Sequence, residues 1–152
     1  MPITAQDIKK LREATGARIM DCKKALEDAN GDFKKAEALV EAKGLARAEK
    51  NQDRETKCGF IANYVHGTGT TAALVELVCE TDFVAKNQEF RDLARDMAMQ
   101  VVAMNPETVE ALMEQEFIKD PSKTISTLLK SLSGKIGEKM LVTRFVRYEI
   151  GA

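Results

Sequence analysis

Ala72-Ala73-Leu74-Val75-Glu76-Leu77-Val78-Cys79-Glu80-Thr81-Asp82-Phe83-Val84-Ala85-Lys86-Asn87-Gln88-Glu89-Phe90 decides the fold, because the hydrophobic period changes inside it. Residues 72–79 are aliphatic and rich in valine, which reads as a largely buried strand. Asn87 is suited to cap a helix and Glu89 places negative charge in its first turn. Beyond them Phe90, Leu93, Ala94, Met97 and Val101 recur at helical spacing, so the strand leads into an amphipathic helix. The residues between are tied at both ends, and a loop held by a rigid scaffold is where proteins place recognition groups. Phe83 and Val84 belong to neither apolar pattern. Periodicity alone leaves Phe83 two roles: folding back over the core, as most large aromatics do, or presenting its ring to a partner.

Working upstream, residues 4 to about 50 predict three short helices. Thr4 caps the first, with Ile8 and Leu11 on one face and an end near Gly16. Asp21 caps the second, whose Cys22, Ala25, Leu26 and Ala29 precede the stop Asn30-Gly31. Asp32 caps the third, with Phe33, Ala36, Leu39 and Val40 as its stripe; Gly44 either ends it or lets it run on. Ala46 to Lys57 is charged throughout and reads as a linker, partly helical. Cys58 to Val65 and Thr70 to Cys79 then flank His66-Gly67-Thr68-Gly69, a β-hairpin. Its glycines serve a turn, since the lysine and following helix of a phosphate-binding loop are missing.

Downstream, Asn105-Pro106 ends the long helix, and residues 107–119 stay ambiguous between a helical turn and extended chain. Asp120-Pro121-Ser122-Lys123 is expected to introduce a helix bearing Ile125, Leu128, Leu129, Leu132 and Ile136. Met140 to Ile150 closes the chain as a strand. The predicted fold class is α+β. A three-helix domain over 1–45 and a linker over 46–57 precede a core over 58–152, in which helices cover an antiparallel sheet of about three strands.

Composition narrows the function classes. With 152 residues and 44% hydrophobic side chains, the chain can bury roughly 70% of its unfolded surface without staples. Lys plus Arg number 23 against 24 Asp plus Glu, so no strong field favours nucleic acid or an anionic membrane. No basic segment followed by an apolar one opens the chain and no apolar run approaches a membrane span, which reads as a soluble cytoplasmic protein. Cys22, Cys58 and Cys79 are odd in number and far apart in sequence, read as small core residues in a reducing compartment. With His66 the sole histidine, the ligands for a structural zinc site are lacking, and no paired acids or triad spacing suggest an enzyme. No cofactor is expected.

Leu11-Arg12-Glu13-Ala14-Thr15-Gly16-Ala17, Met20-Asp21-Cys22-Lys23-Lys24-Ala25-Leu26, Ala29-Asn30-Gly31-Asp32 and Thr81 to Asn87 closely resemble the bacterial elongation factor Ts family. The resemblance continues through Phe117 to Thr124, Lys135-Ile136-Gly137-Glu138 and Arg144 to Glu149, in order along nearly the whole chain. It implies a ubiquitin-associated-like three-helix domain at the N-terminus and an α+β core. It further implies a guanine nucleotide exchange factor that binds elongation factor Tu, GDP-bound or nucleotide-free, and drives GDP out without catalysing a chemical step. Thr81, Asp82, Phe83 and Val84 would disturb the magnesium and phosphate side of the nucleotide site, with the Phe83 ring exposed and inserted between helices of the GTPase. Asp82 would either meet the metal or fix the angle of Phe83, and one carboxylate replaces an octahedral shell poorly.

Leu11, Arg18, Ile19 and Met20 around the first interhelical turn would dock on the GTPase, with core packing the competing role for Leu11. Arg18 departs from the glycine common in the family. The family usually carries a long helical segment where this chain has only residues 105–116, so the core is shortened there and distal contacts are expected to weaken. A homodimer through the core is a further expectation. The rival reading, carried by the first fifty residues alone, is a helix-binding adaptor without exchange activity.

Overall fold

In the computed structural model, which describes residues 2–152, the N-terminal helices are α1 (Ala5–Thr15), α2 (Ile19–Asp28) and α3 (Phe33–Lys50). Thr4 and Asp7 form a reciprocal capping box at α1, and Gly16 ends it at φ 68°. The expected cap of α2 is displaced. That helix starts at Ile19, ahead of Asp21, and no side chain caps it. Asp21 lies within the first turn, with its carboxylate 2.7 Å from Lys43 Nζ and 2.9 Å from Arg47 Nη2. A cross-helix ion pair has taken the residue that sequence assigns to a cap. Leu11, Cys22, Leu26 and Ala36 fill the small core between the three helices.

Helix α3 passes through Gly44 to Lys50, so the start of the charged segment is helical. Of the two outcomes open at Gly44, the helix running on is the one observed, and the Gly44 carbonyl is where a later helix approaches most closely. A Cβ placed on Gly134, in a later helix, would come within 1.8 Å of the Gly44 carbonyl oxygen. Only a glycine at 134 lets the backbones meet this closely, and the meeting seats the N-terminal helices on the core.

The core opens with β1 (Cys58–His66) and β2 (Thr71–Cys79), antiparallel with Cys58 opposite Cys79 and His66 opposite Thr71. A single-turn α4 (Asp82–Ala85) and the long α5 (Gln88–Met104) follow. Next come α6 (Val109–Glu114), β3 (Glu116–Phe117), β4 (Asp120–Thr124), α7 (Ile125–Ile136) and β5 (Leu141–Glu149). Strand β5 pairs with β2, giving the sheet order β1-β2-β5, the predicted antiparallel three-stranded sheet covered by helices. Ala62, Val75, Leu77 and Val142 on one sheet face pack with Phe90, Ala94, Met97 and Val101 of α5 in a single buried cluster. On the other face Ile61, Val65, Leu74, Val146 and Tyr148 are exposed.

Residues 116–124 differ from expectation. Asp120 to Thr124 form a strand paired with β3, and Thr124 caps α7 by accepting from Thr127 N. Asp120 Oδ1 accepts from Ser122 N at 3.2 Å, a local turn that competes with helix initiation. Gln100, fully buried on α5, secures this hairpin. Its Nε2 donates to Gln115 Oε1 and the Glu116 carbonyl, and its Oε1 accepts from Ile118 N at 3.0 Å. Among the described residues no helix is long and apolar enough to cross a membrane.

Candidate functional site

Thr81 to Val84 form a capped helical turn, where sequence suggests a loop. Thr81 is the cap: its Oγ1 accepts from Val84 N at 3.4 Å and donates to Glu138 Oε2 at 2.7 Å. Asp82 occupies the first helical position, where its charge suits the helix N-terminus. Val84 and Ala85 are buried in the main core and hold the turn down. Phe83 points the other way and is 88% exposed, the most exposed large apolar side chain among the described residues. Neighbouring positions of one short turn thus separate anchor from display.

Glu138, from the turn after α7, is the part that sequence reasoning left without a role. Its Oε1 accepts from the backbone N–H groups of Glu80 (3.1 Å) and Thr81 (3.0 Å), besides the Thr81 hydroxyl held by Oε2. Three donors on one carboxylate fix the entry into the turn. Reciprocally, Glu80 Oε2 accepts from Lys139 N at 2.6 Å and lies 3.6 Å from Arg54. At the other end Arg91 Nε donates to the Ala85 carbonyl at 2.9 Å while its guanidinium sits 4.5 Å from the Phe60 ring centroid. Asn87 caps α5, as its sequence position predicts. The signal for Glu138 was present in the Lys135-Ile136-Gly137-Glu138 motif, but the contact spans 57 residues and no local pattern encodes it.

The second group divides. Leu11 is fully buried, so it serves the core of the N-terminal helices, whereas Ile19 (51%) and Met20 (69%) are exposed. Arg18 is exposed and its guanidinium lies against Gly137, where an added Cβ would come within 2.8 Å of it. Lys135, which packs on Gly16, is 2.8 Å from Glu89 of α5. The end of α7 therefore touches the first interhelical turn with Lys135 and Gly137, and the Phe83 turn with Glu138. The two groups flank one structural element.

Electrostatics inside the site favour fixed geometry over acid–base work. For Asp21, burial opposes ionisation, but hydrogen bonds and charge from Lys43 and Arg47 outweigh it and hold the carboxyl below its ordinary value. Burial, reinforced by the Glu138 charge, pushes the Cys79 thiol up to about 11. The Asp82 carboxylate, then burial, raises the Cys58 thiol. Among the described residues no group of three or more His, Cys, Asp or Glu side chains is placed to hold a metal.

The model of the family described as Elongation factor TS matches residues 80–152. Elongation factor Ts of Thermodesulfovibrio yellowstonii is 40% identical over 195 positions, covering 99% of this chain and 98% of the relative. That of Moorella thermoacetica is 40% identical over 194 positions, covering 98% and 96%. Both alignments exceed the 152 residues of this chain, so those relatives carry sequence without a counterpart here. Elongation factor Ts of Aquifex aeolicus is 44% identical over 154 positions, which take in 98% of this chain and 53% of the relative.

Proposed function

The chain belongs to the elongation factor Ts family, and from that membership we propose that it is a guanine nucleotide exchange factor for elongation factor Tu. It engages the GDP-bound or nucleotide-free GTPase with the Thr81–Val84 turn and the Arg18–Met20 surface. The observation that carries this reading is Phe83, displayed at 88% exposure on a turn clamped from both ends. An apolar ring held in water by a rigid scaffold is organised for a partner, since burying it there yields about 1.5–3 kcal/mol. Exchange then follows from linkage. A factor that binds the nucleotide-free GTPase more tightly than the GDP form must weaken GDP by the same ratio, tenfold for each ~1.4 kcal/mol. No bond is made or broken.

Asp82 acts through position: its place at the head of the turn supports an angle-setting role for the neighbouring ring better than chelation of a hard cation. Val84 contributes from below as an anchor, and Leu11 supports Ile19 and Met20 from within. The short connection over residues 105–116 leaves the wedge whole but removes area that relatives offer, so affinity for the GTPase is lower than theirs. The open apolar sheet face supports a second part of the reading, self-association of two chains through the core.

Stopped-flow release of a fluorescent GDP from elongation factor Tu tests the proposal. Acceleration by the wild-type chain that falls at least tenfold with Phe83→Ala is expected from the energy of one ring. Binding without acceleration would support a helix-binding adaptor and end the exchange reading.

A further inference from the structure

Beneath the Phe83 turn, the geometry points to Cys58 and Cys79 as a reversible disulfide-forming pair, an oxidation site built into the foot of the wedge. The two cysteines are directly opposed in the β1–β2 register. Opposed residues of an antiparallel pair put their side chains on the same face with Cα atoms about 4.5–5.5 Å apart, inside the roughly 4.4–6.8 Å that a disulfide spans. Closure therefore needs side-chain rotation and little backbone movement. Cys22 is excluded from the pair, because it is buried in the separate core of the N-terminal helices.

The pair is wired to the turn. Cys79 Sγ donates to the Thr81 carbonyl at 3.2 Å, and the Asp82 carboxylate acts on the Cys58 thiol. Oxidation removes both thiol protons, and with them the Cys79 bond to the carbonyl of the cap residue. Cys58 is partly exposed and Cys79 fully buried, so the order of events is set. With hydrogen peroxide as oxidant, Cys58 thiolate attacks one peroxide oxygen, the O–O bond breaks, and the departing hydroxide takes a proton to become water. Cys58 is then a sulfenic acid. Cys79 attacks its sulfur, the S–S bond forms, and the S–O oxygen leaves as a second water with the Cys79 proton. The two sulfurs lose two electrons and peroxide gains them. Burial of Cys79 and the Asp82 and Glu138 carboxylates facing the pair raise both thiols, so closure is slow at neutral pH and quickens as pH rises.

The effect on Phe83 rests on the exchange function proposed above; the cross-link itself does not. Treating the folded chain with peroxide, blocking free thiols and mapping peptides should show loss of two hydrogens and a Cys58–Cys79 linkage. Dithiothreitol should reverse it, Cys58→Ser should abolish it, and Cys22 should remain free. Cys58 driven to sulfinic acid with Cys79 still free, or no linkage at any peroxide level, would overturn the pairing. In the GDP-release assay the oxidised chain should be about threefold slower than the reduced one, the scale of one weak hydrogen bond. Cys58→Ser should give one rate with or without peroxide. Equal rates for oxidised and reduced wild type would overturn the coupling to Phe83. A linkage that forms in a chain with no release activity even when reduced would sink the exchange function and leave the pairing standing.

Discussion

Gly134→Ala should loosen the joint between the N-terminal helices and the core, while Gly44→Ala across the same contact should not. A Cβ on Gly134 would lie 1.8 Å from the Gly44 oxygen and 2.2 Å from its carbonyl carbon, both backbone atoms that cannot rotate aside. Restoring ordinary contact requires the helices to part by roughly 1.5 Å. Overpacking of this kind costs about 1–3 kcal/mol, against which alanine returns ~1 kcal/mol of helix propensity. Parting also strains the bonds that cross the joint, Arg47 to the Gly134 carbonyl (3.1 Å) and Asn51 and Arg54 to that of Gly137 (3.5 and 3.4 Å). Losing one or two adds about 0.5–1.5 kcal/mol each. The net is a destabilisation of about 2–3 kcal/mol, or roughly 4–12 °C in Tm for a chain of this size. On Gly44 a Cβ would meet nothing nearer than 3.9 Å, so Gly44→Ala should hold or gain up to ~1 kcal/mol. Thermal unfolding followed by far-ultraviolet circular dichroism separates the cases. Gly134→Ala as stable as wild type would refute the close-approach account of Gly134.

Phe83→Ala should leave Tm within about 1 °C, because a side chain 88% exposed contributes little to folding, while it slows GDP release. Equal losses of stability and activity would mean the ring packs internally. Glu138→Ala strips three donors of their acceptor and should cost about 1–2 kcal/mol in the exchange barrier, with Glu138→Gln partly restoring it through its remaining oxygen; full activity in Glu138→Ala would dismiss the clamp. Asp21 has a folded pKa below the ordinary aspartate value of 3.8, so its stabilisation is present above that value and lost as pH falls through the lower folded one. Acid titration of stability should therefore be shallower in Asp21→Asn, and identical curves would contradict the paired carboxylate. Tyr148→Glu, on the open sheet face, should lower the self-association seen by sedimentation without changing the fold; a wild-type chain monomeric at all concentrations would remove that part of the proposal.

What sequence made legible was whatever a local signal encodes. Caps at Thr4, Asp32 and Asn87, the hairpin around Gly67, and the period switch after Cys79 each lie within a few residues of the element they define. The misses share one physical cause, a distant partner outbidding a local preference. Asp21 serves Lys43 and Arg47 instead of its own helix end, and the approach of Gly134 to the Gly44 carbonyl has no local signal at all. Asp120 to Lys123 pair with a short strand that buried Gln100 holds in place from α5. Periodicity alone leaves Phe83 undecided for the same reason, and only the family resemblance implies its exposure. Its exposure depends on Val84 and Ala85 turning inward, which in turn depends on Glu138 and Arg91 fixing the two ends of the turn.

That dependence explains why the two groups proposed to meet the GTPase belong together. Phe83 stands on a turn whose entry is tied to Glu138, and Glu138 follows a helix that is locked to α3 by Gly44 and Gly134. Arg18, Ile19 and Met20 stand at the start of α2, which Asp21 ties to α3 through Lys43 and Arg47. Both groups are thus referred to the same pair of helices. Rigid spacing matters energetically. Two weak contacts on one body add their free energies with the translational cost met once, whereas contacts on mobile parts each face their own ordering cost. Loosening the glycine joint should accordingly weaken the GTPase interaction more than removing Ile19 or Met20 alone, because it uncouples the two groups and leaves each side chain in place.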